Sequence, residues 1–387
     1  MSSRQPFSPP EILLLGPGPS PVSHRVLAAQ SAPLLGHLDP DFVKLMDRVQ
    51  DDLRGLFGTT NRFTLPISGT GSAGMETCFV NLVEPGDRVV VGIHGVFGER
   101  MKELAMRQGG DVVEVRAEYG RSLDVAAMIQ AIRSGPTKLV AFVHAETSTG
   151  VLQPPREILA AAKAHGALTI LDCVTSLGGV AVAIDEWGVD AGYSGTQKCL
   201  SVPPGLAPVT FSDLAMRKAK DRRQKAPSWY LDVNLLGAYW GGDRVYHHTA
   251  PVSMVYGLAA GLDEVFEEGL EVRRARHAQV AQCLYRGLDV LGLTCLVPKA
   301  ERTPMVTSIS VPDGIDELAV RKHLLAVHRI EIGGGLGSLK GKIWRIGLLG
   351  HGARVASVLR VLSGLGDALA SLGRRVDVAA ALRAANG

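Results

Sequence analysis

The order of apolar runs along this chain predicts an α/β protein. A large domain built on a mainly parallel, mixed sheet covered by helices is followed by a smaller C-terminal α/β domain. Three observations carry that expectation. Short β-like runs alternate with amphipathic, helix-length segments up to residue 212. A polar, aromatic stretch, Pro227–His248, then breaks the alternation. From Val306 onward a shorter strand–helix pattern resumes.

The first element after the N-terminal arm is a helix with clear boundaries. Asp39 is placed to cap it, and Pro40 sits where a first-turn proline is tolerated. Phe42, Leu45, Met46, Val49, Leu53 and Leu56 recur at helical spacing until Gly58. Strands are expected at Phe63–Ile67, Arg88–Ile93, Asp111–Val115, Lys138–His144, Leu168–Asp172, Ala191–Ser194 and Ala207–Phe211. Helices are expected between several of them, at Phe97–Gln108, Asp124–Ser134 and Pro155–His165. Strands separated by helices imply parallel pairing with both faces covered, and ligands then bind beyond the carboxyl ends of the strands. Long helical patterns lead to Leu291, after which Val306–Val311, Asp316–Val327, Ile330–Ile332, Ile343–Leu348 and Val355–Leu372 form the smaller unit. The expected division is an arm over 1–22, a large domain over 23–267 and a small domain over 268–387.

Composition excludes several classes. Of the 387 residues 46% are apolar and 20% charged, enough to build a large core, so global disorder is ruled out. With 41 basic against 38 acidic residues and no basic run, a nucleic-acid binder is not expected. Cys78, Cys173, Cys199, Cys283 and Cys295 show neither CxxC nor zinc spacing, and read as free thiols in a reducing compartment. Ile12–Leu15 is too short for a signal-peptide core, and Val355–Leu372 is interrupted by Arg360 and Asp367. A soluble, cytoplasmic protein with no membrane partner is expected.

Gly69–Gly74 reads Gly-Thr-Gly-Ser-Ala-Gly between a strand and a helix. Amides at such a helix start, with the hydroxyls of Thr70 and Ser72, suit a phosphate. A plain packing turn and a dinucleotide site compete with that reading. The dinucleotide reading, which would make the protein an oxidoreductase, wants an acid at the end of the next strand, where His94 stands. Asp172 ends an apolar strand, and Lys198 follows in Ser-Gly-Thr-Gln-Lys among small and apolar neighbours. Such a lysine loses its charge easily, and such an acid needs a cation, so the pair with a phosphate loop suits pyridoxal phosphate. Arg345 lies in the apolar strand Ile343–Leu348, where its guanidinium needs an anion: a substrate carboxylate or an internal Asp or Glu. His247 and His248 are expected to face apart on a strand, a poor metal site, and no metal is expected. Cys199 is read as a packed thiol, His94 and His144 as strand-end residues facing solvent or ligand with no chemistry expected of them, and Trp229, Tyr239 and Trp240 as dimer-interface or core aromatics.

The motifs now in hand resemble the class V, fold type I, pyridoxal-phosphate aminotransferases, in the alanine–glyoxylate and serine–pyruvate branch. The segments that carry the resemblance are Leu-Leu-Leu-Gly-Pro-Gly-Pro (13–19), Ser-Gly-Thr-Gly (68–71) and Glu-Thr-Ser-Thr-Gly-Val-Leu-Gln-Pro (146–154). Ser-Leu-Gly-Gly (176–179), Ser-Gly-Thr-Gln-Lys (194–198), Pro-Pro-Gly (203–205), Tyr-His-His-Thr (246–249) and Arg-Ile-Gly-Leu-Leu-Gly (345–350) continue it in order. The resemblance implies that Lys198 carries the cofactor covalently and that Asp172 pairs with its ring nitrogen. It places Val174 and Phe97 on the two ring faces, and Thr147 by the ring hydroxyl. Thr70, Gly71, Ser72 and Gln197 would surround the phosphate, with Tyr246 and Thr249 reaching it from the neighbouring subunit of a homodimer. Arg345, Gly18 and His37 would line the substrate side. The implied reaction moves an amino group from a small amino acid, alanine or serine, to a 2-oxo acid, glyoxylate or pyruvate. Gly-Thr-Gln-Lys-Cys-Leu-Ser-Val-Pro (195–203), Asp-Glu-Trp (185–187) and Gly-Lys-Ile-Trp-Arg-Ile-Gly (341–347) also resemble the ureidoglycine–glyoxylate aminotransferases, the alternative. There His37 and Tyr246 stand where amide side chains would read the ureido group.

Overall fold

A computed structural model describes residues 7–387; the first six residues of the expected arm lie outside the described residues. Helix Pro40–Phe57 begins as its sequence dictates. The Asp39 carboxylate accepts the Asp41 N–H at 2.9 Å, and Gly58 ends the helix in the left-handed conformation at φ 62°. Its Phe42, Met46, Val49 and Leu53 are fully buried, each worth ~1.5–3 kcal/mol relative to exposure.

The large sheet runs, edge to edge, Phe63–Ser68, Leu206–Phe211, Ala191–Tyr193, Leu168–Asp172, Leu139–Val143, Arg88–Ile93, Asp111–Arg116. Leu206–Phe211 is antiparallel to both neighbours, and the remaining adjacent pairs are parallel. The sheet is therefore mainly parallel but mixed. Pro66 is tolerated because its strand is an edge, where a missing N–H breaks no inner ladder. Each central strand is buried on both faces, by helices that include Gly71–Leu82, Val96–Arg107 and Arg156–His165.

A second core gathers around the antiparallel sheet Val306–Ser310, Ile343–Gly347, Gly333–Gly334. Trp344, Ile346 and Leu348 alternate into that core beneath helices Glu317–His328, Val355–Ser371 and Val378–Asn386. Alternation along the strand leaves Arg345 on its opposite face. Side chains of the first core run from Val26 to Val265, and those of the second from Val280 on, with one exception.

The exception is Leu15. Leu13–Leu14 pairs in parallel with Ile330–Glu331, the Gly347 N–H donates to the Leu15 carbonyl at 2.7 Å, and Leu15 is buried in the second core. A few residues later the Ser20 N–H donates to the Gln197 carbonyl at 2.9 Å. The N-terminal segment thus ties both cores together. Ser23 then caps a short helix, His24–Gln30, that the sequence pattern had not marked. No helix among the described residues is long and apolar enough to cross a membrane. The five cysteines are free, and four of them are buried.

Candidate active site

Loops leaving the carboxyl ends of the parallel strands meet the N-terminal segment and one strand of the small sheet. Asp172 is the last residue of its strand and is buried. Its Oδ1 accepts the Val174 N–H at 2.8 Å and its Oδ2 accepts the Tyr193 hydroxyl at 2.7 Å. Burial lifts its pKa to about 7, above the ordinary carboxylate range, although both hydrogen bonds pull the other way.

Lys198 lies in the loop after Ala191–Tyr193 and is also buried. Burial lowers its pKa to about 8, and the charge of Arg345 lowers it further. Its Nζ donates to the Pro17 carbonyl, and its own carbonyl accepts the Ser20 hydroxyl at 2.8 Å. Between Pro17 and Ser20, Gly18 adopts φ 119°, and a Cβ there would fall 2.7 Å from the lysine nitrogen. Only glycine leaves the amine its space.

Arg345 reaches the same place from the small sheet. Its Nε donates to the Gly334 carbonyl at 2.8 Å and its Nη1 to the Thr147 carbonyl at 3.0 Å. No carboxylate of the described residues forms an ion pair with it, so the internal salt bridge weighed from the sequence is absent there. Burial pulls its pKa down to about 10, partly offset by Glu146. The Thr147 hydroxyl is hydrogen-bonded to that of Thr175.

The Gly69–Gly74 loop opens the cleft at its other end. Thr70 precedes helix Gly71–Leu82 with no side-chain capping bond, so its hydroxyl is not spent on the helix start. Thr70 and Ser72 are exposed. Gly71 lies so near Val174 that a Cβ would sit 3.3 Å from Val174 Cγ2. Gln197 Oε1 is buried beside the loop's contact with Gly195 and has no hydrogen-bond partner among the described residues. Phe97 is half-buried, with the Arg100 guanidinium 4.9 Å from its ring centre.

Tyr246, Thr249 and His37 form a separate group. The Tyr246 hydroxyl lies 3.4 Å from Thr249 Oγ1, and the His37 and Tyr246 rings are 5.3 Å apart. Among the described residues, no hydrogen bond joins this group to Lys198, Asp172 or the Thr70–Ser72 loop. Its neighbour His248 does bond Ser68 Oγ at 2.6 Å, just before the loop. The expectation that His247 and His248 face apart on a strand fails. The segment is irregular, and the two Nδ1 atoms lie 2.8 Å apart.

Comparison with known proteins then decides the family. The aminotransferase class-V pattern matches residues 17–355. The chain belongs to the class-V aminotransferases. An alanine–glyoxylate aminotransferase of Drosophila melanogaster is 39% identical, with 97% of each chain covered. The crystal structure of ureidoglycine–glyoxylate aminotransferase from Bacillus subtilis superposes with a TM-score of 0.97 at 40% identity, covering 99% of both chains. That of an alanine–glyoxylate aminotransferase from Nostoc superposes at 0.93 and 44%, covering 95% and 97%. These are pyridoxal-phosphate enzymes of fold type I, and so is this one.

The aminotransferase's own residues fit that cofactor. A buried carboxyl with two donors and, among the described residues, no ion-pair partner fits a protonated ring nitrogen, and an uncapped helix start with spare hydroxyls and an amide oxygen unpaired among the described residues fits a phosphate. Sequence reasoning missed two residues of this aminotransferase site. The Tyr193 hydroxyl on Asp172 has no local sequence signal. Glu146 stands inside a recognised motif yet drew no role. Its buried carboxylate accepts Ser148 Oγ at 2.6 Å and the Phe97 N–H at 3.2 Å, tying the start of helix Val96–Arg107, which carries Phe97, to the segment that carries Thr147. Cys199 is no second nucleophile: burial pushes its thiol up to about 11.

Proposed function

We propose that this aminotransferase moves an amino group from alanine or serine to glyoxylate, or to pyruvate, with Lys198 as the proton carrier and Arg345 as the carboxylate anchor. One observation carries the reading: a buried guanidinium that, among the described residues, bonds only to carbonyls lies beside a buried amine whose pKa is brought to about 8. A planar fork without a carboxylate of its own matches the carboxylate shared by amino and oxo acids.

Bound pyridoxal phosphate supplies an electron sink for the pair left when the amino acid loses its α-hydrogen as a proton. Asp172 keeps a proton on the ring nitrogen, which strengthens that sink. Lys198 Nζ would take the α-proton and return it two atoms along, beyond the amino nitrogen, and its lowered pKa keeps the neutral form abundant near pH 8. Gly18 leaves room for the amine to swing. Val174 and Phe97 would hold the ring faces, Thr147 would lie by the ring hydroxyl, and Thr70, Gly71, Ser72 and Gln197 would hold the phosphate. Tyr246 and Thr249 complete the phosphate site of the other subunit in a homodimer. Support for the dimer comes from the exposed apolar patch of Trp229, Val245 and Tyr246 around them.

The full-length similarity to the Bacillus subtilis enzyme favours ureidoglycine as the second reading of the donor. A phenol offers one hydroxyl where an amide offers donors and acceptors together, so Tyr246 beside His37 suits the smaller donor. The test is kcat/KM for alanine, serine and freshly generated ureidoglycine at saturating glyoxylate. Alanine or serine is expected to lead; a lead for ureidoglycine overturns the donor assignment and leaves the chemistry intact.

A further inference from the structure

We propose that the small domain carries a binding site for a divalent transition-metal ion of the zinc class, formed by His323, His328 and Asp367. The two histidines lie on helix Glu317–His328 and the aspartate on helix Val355–Ser371, which packs against it. His323 Nε2 is 2.7 Å and His328 Nε2 2.8 Å from the same atom, Asp367 Oδ2. The three donor atoms all lie within 4.8 Å of one another. No residue of the active site takes part.

The geometry is close to what an ion needs. Bonds of about 2.0–2.1 Å in a tetrahedral shell put ligand atoms roughly 3.3 Å apart. The two nitrogen–oxygen separations have to open by about half an ångström, and the two imidazole nitrogens, within 4.8 Å of each other, have to take a similar spacing, for an ion to replace the bridging hydrogens. Two imidazoles with a single carboxylate favour zinc-like ions over magnesium or calcium, which want oxygen shells. The imidazoles are about three-quarters buried while the Asp367 carboxylate is half exposed, so water can fill the remaining positions from the open side.

The surroundings hold the rings in place. Gly364 lies one helical turn before Asp367, and a Cβ there would come 3.3 Å from the His328 ring. Its absence lets that imidazole lie against the neighbouring helix with Nε2 turned to the carboxylate. Ser371 Oγ lies 3.5 Å from His323 Nδ1, which leaves Nε2 as the ligand atom of that ring. The guanidinium of Arg360 is directed to the His328 carbonyl at 3.5 Å. A bound ion would staple two helices of the small domain.

The experiment uses tag-free holoenzyme, stripped with a chelator and titrated calorimetrically with Zn2+, with Co2+ as a visible-absorption reporter. One ion per chain and cobalt ligand-field bands are expected. His323→Gln, His328→Gln and Asp367→Asn keep side-chain size and should retain the circular dichroism and transamination kinetics of the parent. Each should weaken Zn2+ binding by at least the roughly 10- to 100-fold that loss of an outer-shell partner costs. Zn2+ should raise the Tm of the parent and not of the variants. Uptake below one ion per chain, or equal binding by parent and variants, overturns the proposal and leaves the cluster a His–Asp hydrogen-bonded clasp.

Discussion

At the inner end of the cleft Lys198, Asp172, Thr147 and Arg345 are each less than a tenth exposed, whereas at the outer end Trp229, Val245 and Tyr246 are more than half exposed. The inner group is held by bonds from four separated stretches of one chain, through Pro17, Tyr193, Thr147 and Gly334. The outer residues contact one another's neighbours instead: Tyr246 lies against Thr249 and His37, and Trp229 stacks on His247. A reacting amine and its counter-charges need low dielectric and fixed geometry, which a single fold can supply. Phosphate and side-chain recognition can be completed by a second subunit. The two ends therefore predict variants of different character.

The largest effect belongs to the inner end. Lys198→Ala should lower kcat by at least about 10³-fold, since in the proposed reaction one group both holds the cofactor and carries the proton. Circular dichroism should stay native, and equilibrium dialysis should still find the cofactor, bound noncovalently. Near-parental turnover would remove the lysine from the chemistry.

Asp172→Asn comes next, with a loss of roughly 10²–10³-fold in kcat. Its stability should move the other way. The folded pKa of about 7 lies above the ordinary 3.8, so the native carboxyl holds its proton through that window, and stability falls as pH rises through it. At pH 8 the cofactor-free variant should melt no lower than the parent. A lower Tm would show that the carboxylate is already paired in the cofactor-free protein.

Arg345→Lys should raise KM for amino donor and oxo acceptor alike by about 10- to 100-fold, because a point charge replaces a two-pronged clamp. Unchanged KM for both would make Arg345 structural. At the outer end, Tyr246→Asn should shift kcat/KM toward ureidoglycine relative to alanine by about tenfold. The same substitution should weaken cofactor retention, and dilution to monomers should weaken it in the parent. Equal retention in a verified monomer would separate this end from the site.

A milder observable concerns pH. Covalent uptake of cofactor by the cofactor-free protein requires neutral Lys198, so its rate should rise with pH and level off above about 8. A midpoint near the ordinary 10.5 would mean that the amine is solvated before the cofactor arrives.

Much of this was legible in the residues because the signals were local. The strand Arg88–Ile93 and the ends of helix Pro40–Phe57 follow from β-branched runs and from caps within a few residues. The Gly69–Gly74 loop, at a helix start, and Asp172, at a strand end, could be singled out for the same reason, and Lys198 by the small and apolar residues around it: each has a chemical need its neighbours cannot meet. What the sequence could not display were contacts between distant segments. Nothing near Leu15 says that it belongs to the second core, and nothing near Gly18 says that its missing Cβ makes room for Lys198. The choice between an internal partner and an open guanidinium at Arg345 also waited on tertiary structure, because only the folded chain brings two carbonyls, and among the described residues no carboxylate, into hydrogen-bonding distance. Local propensity and patterning determined the elements and named the reactive residues. Packing decided their surroundings, because burial and through-space charge, which bring Asp172 to about 7 and Lys198 to about 8, exist only once remote segments have closed around them.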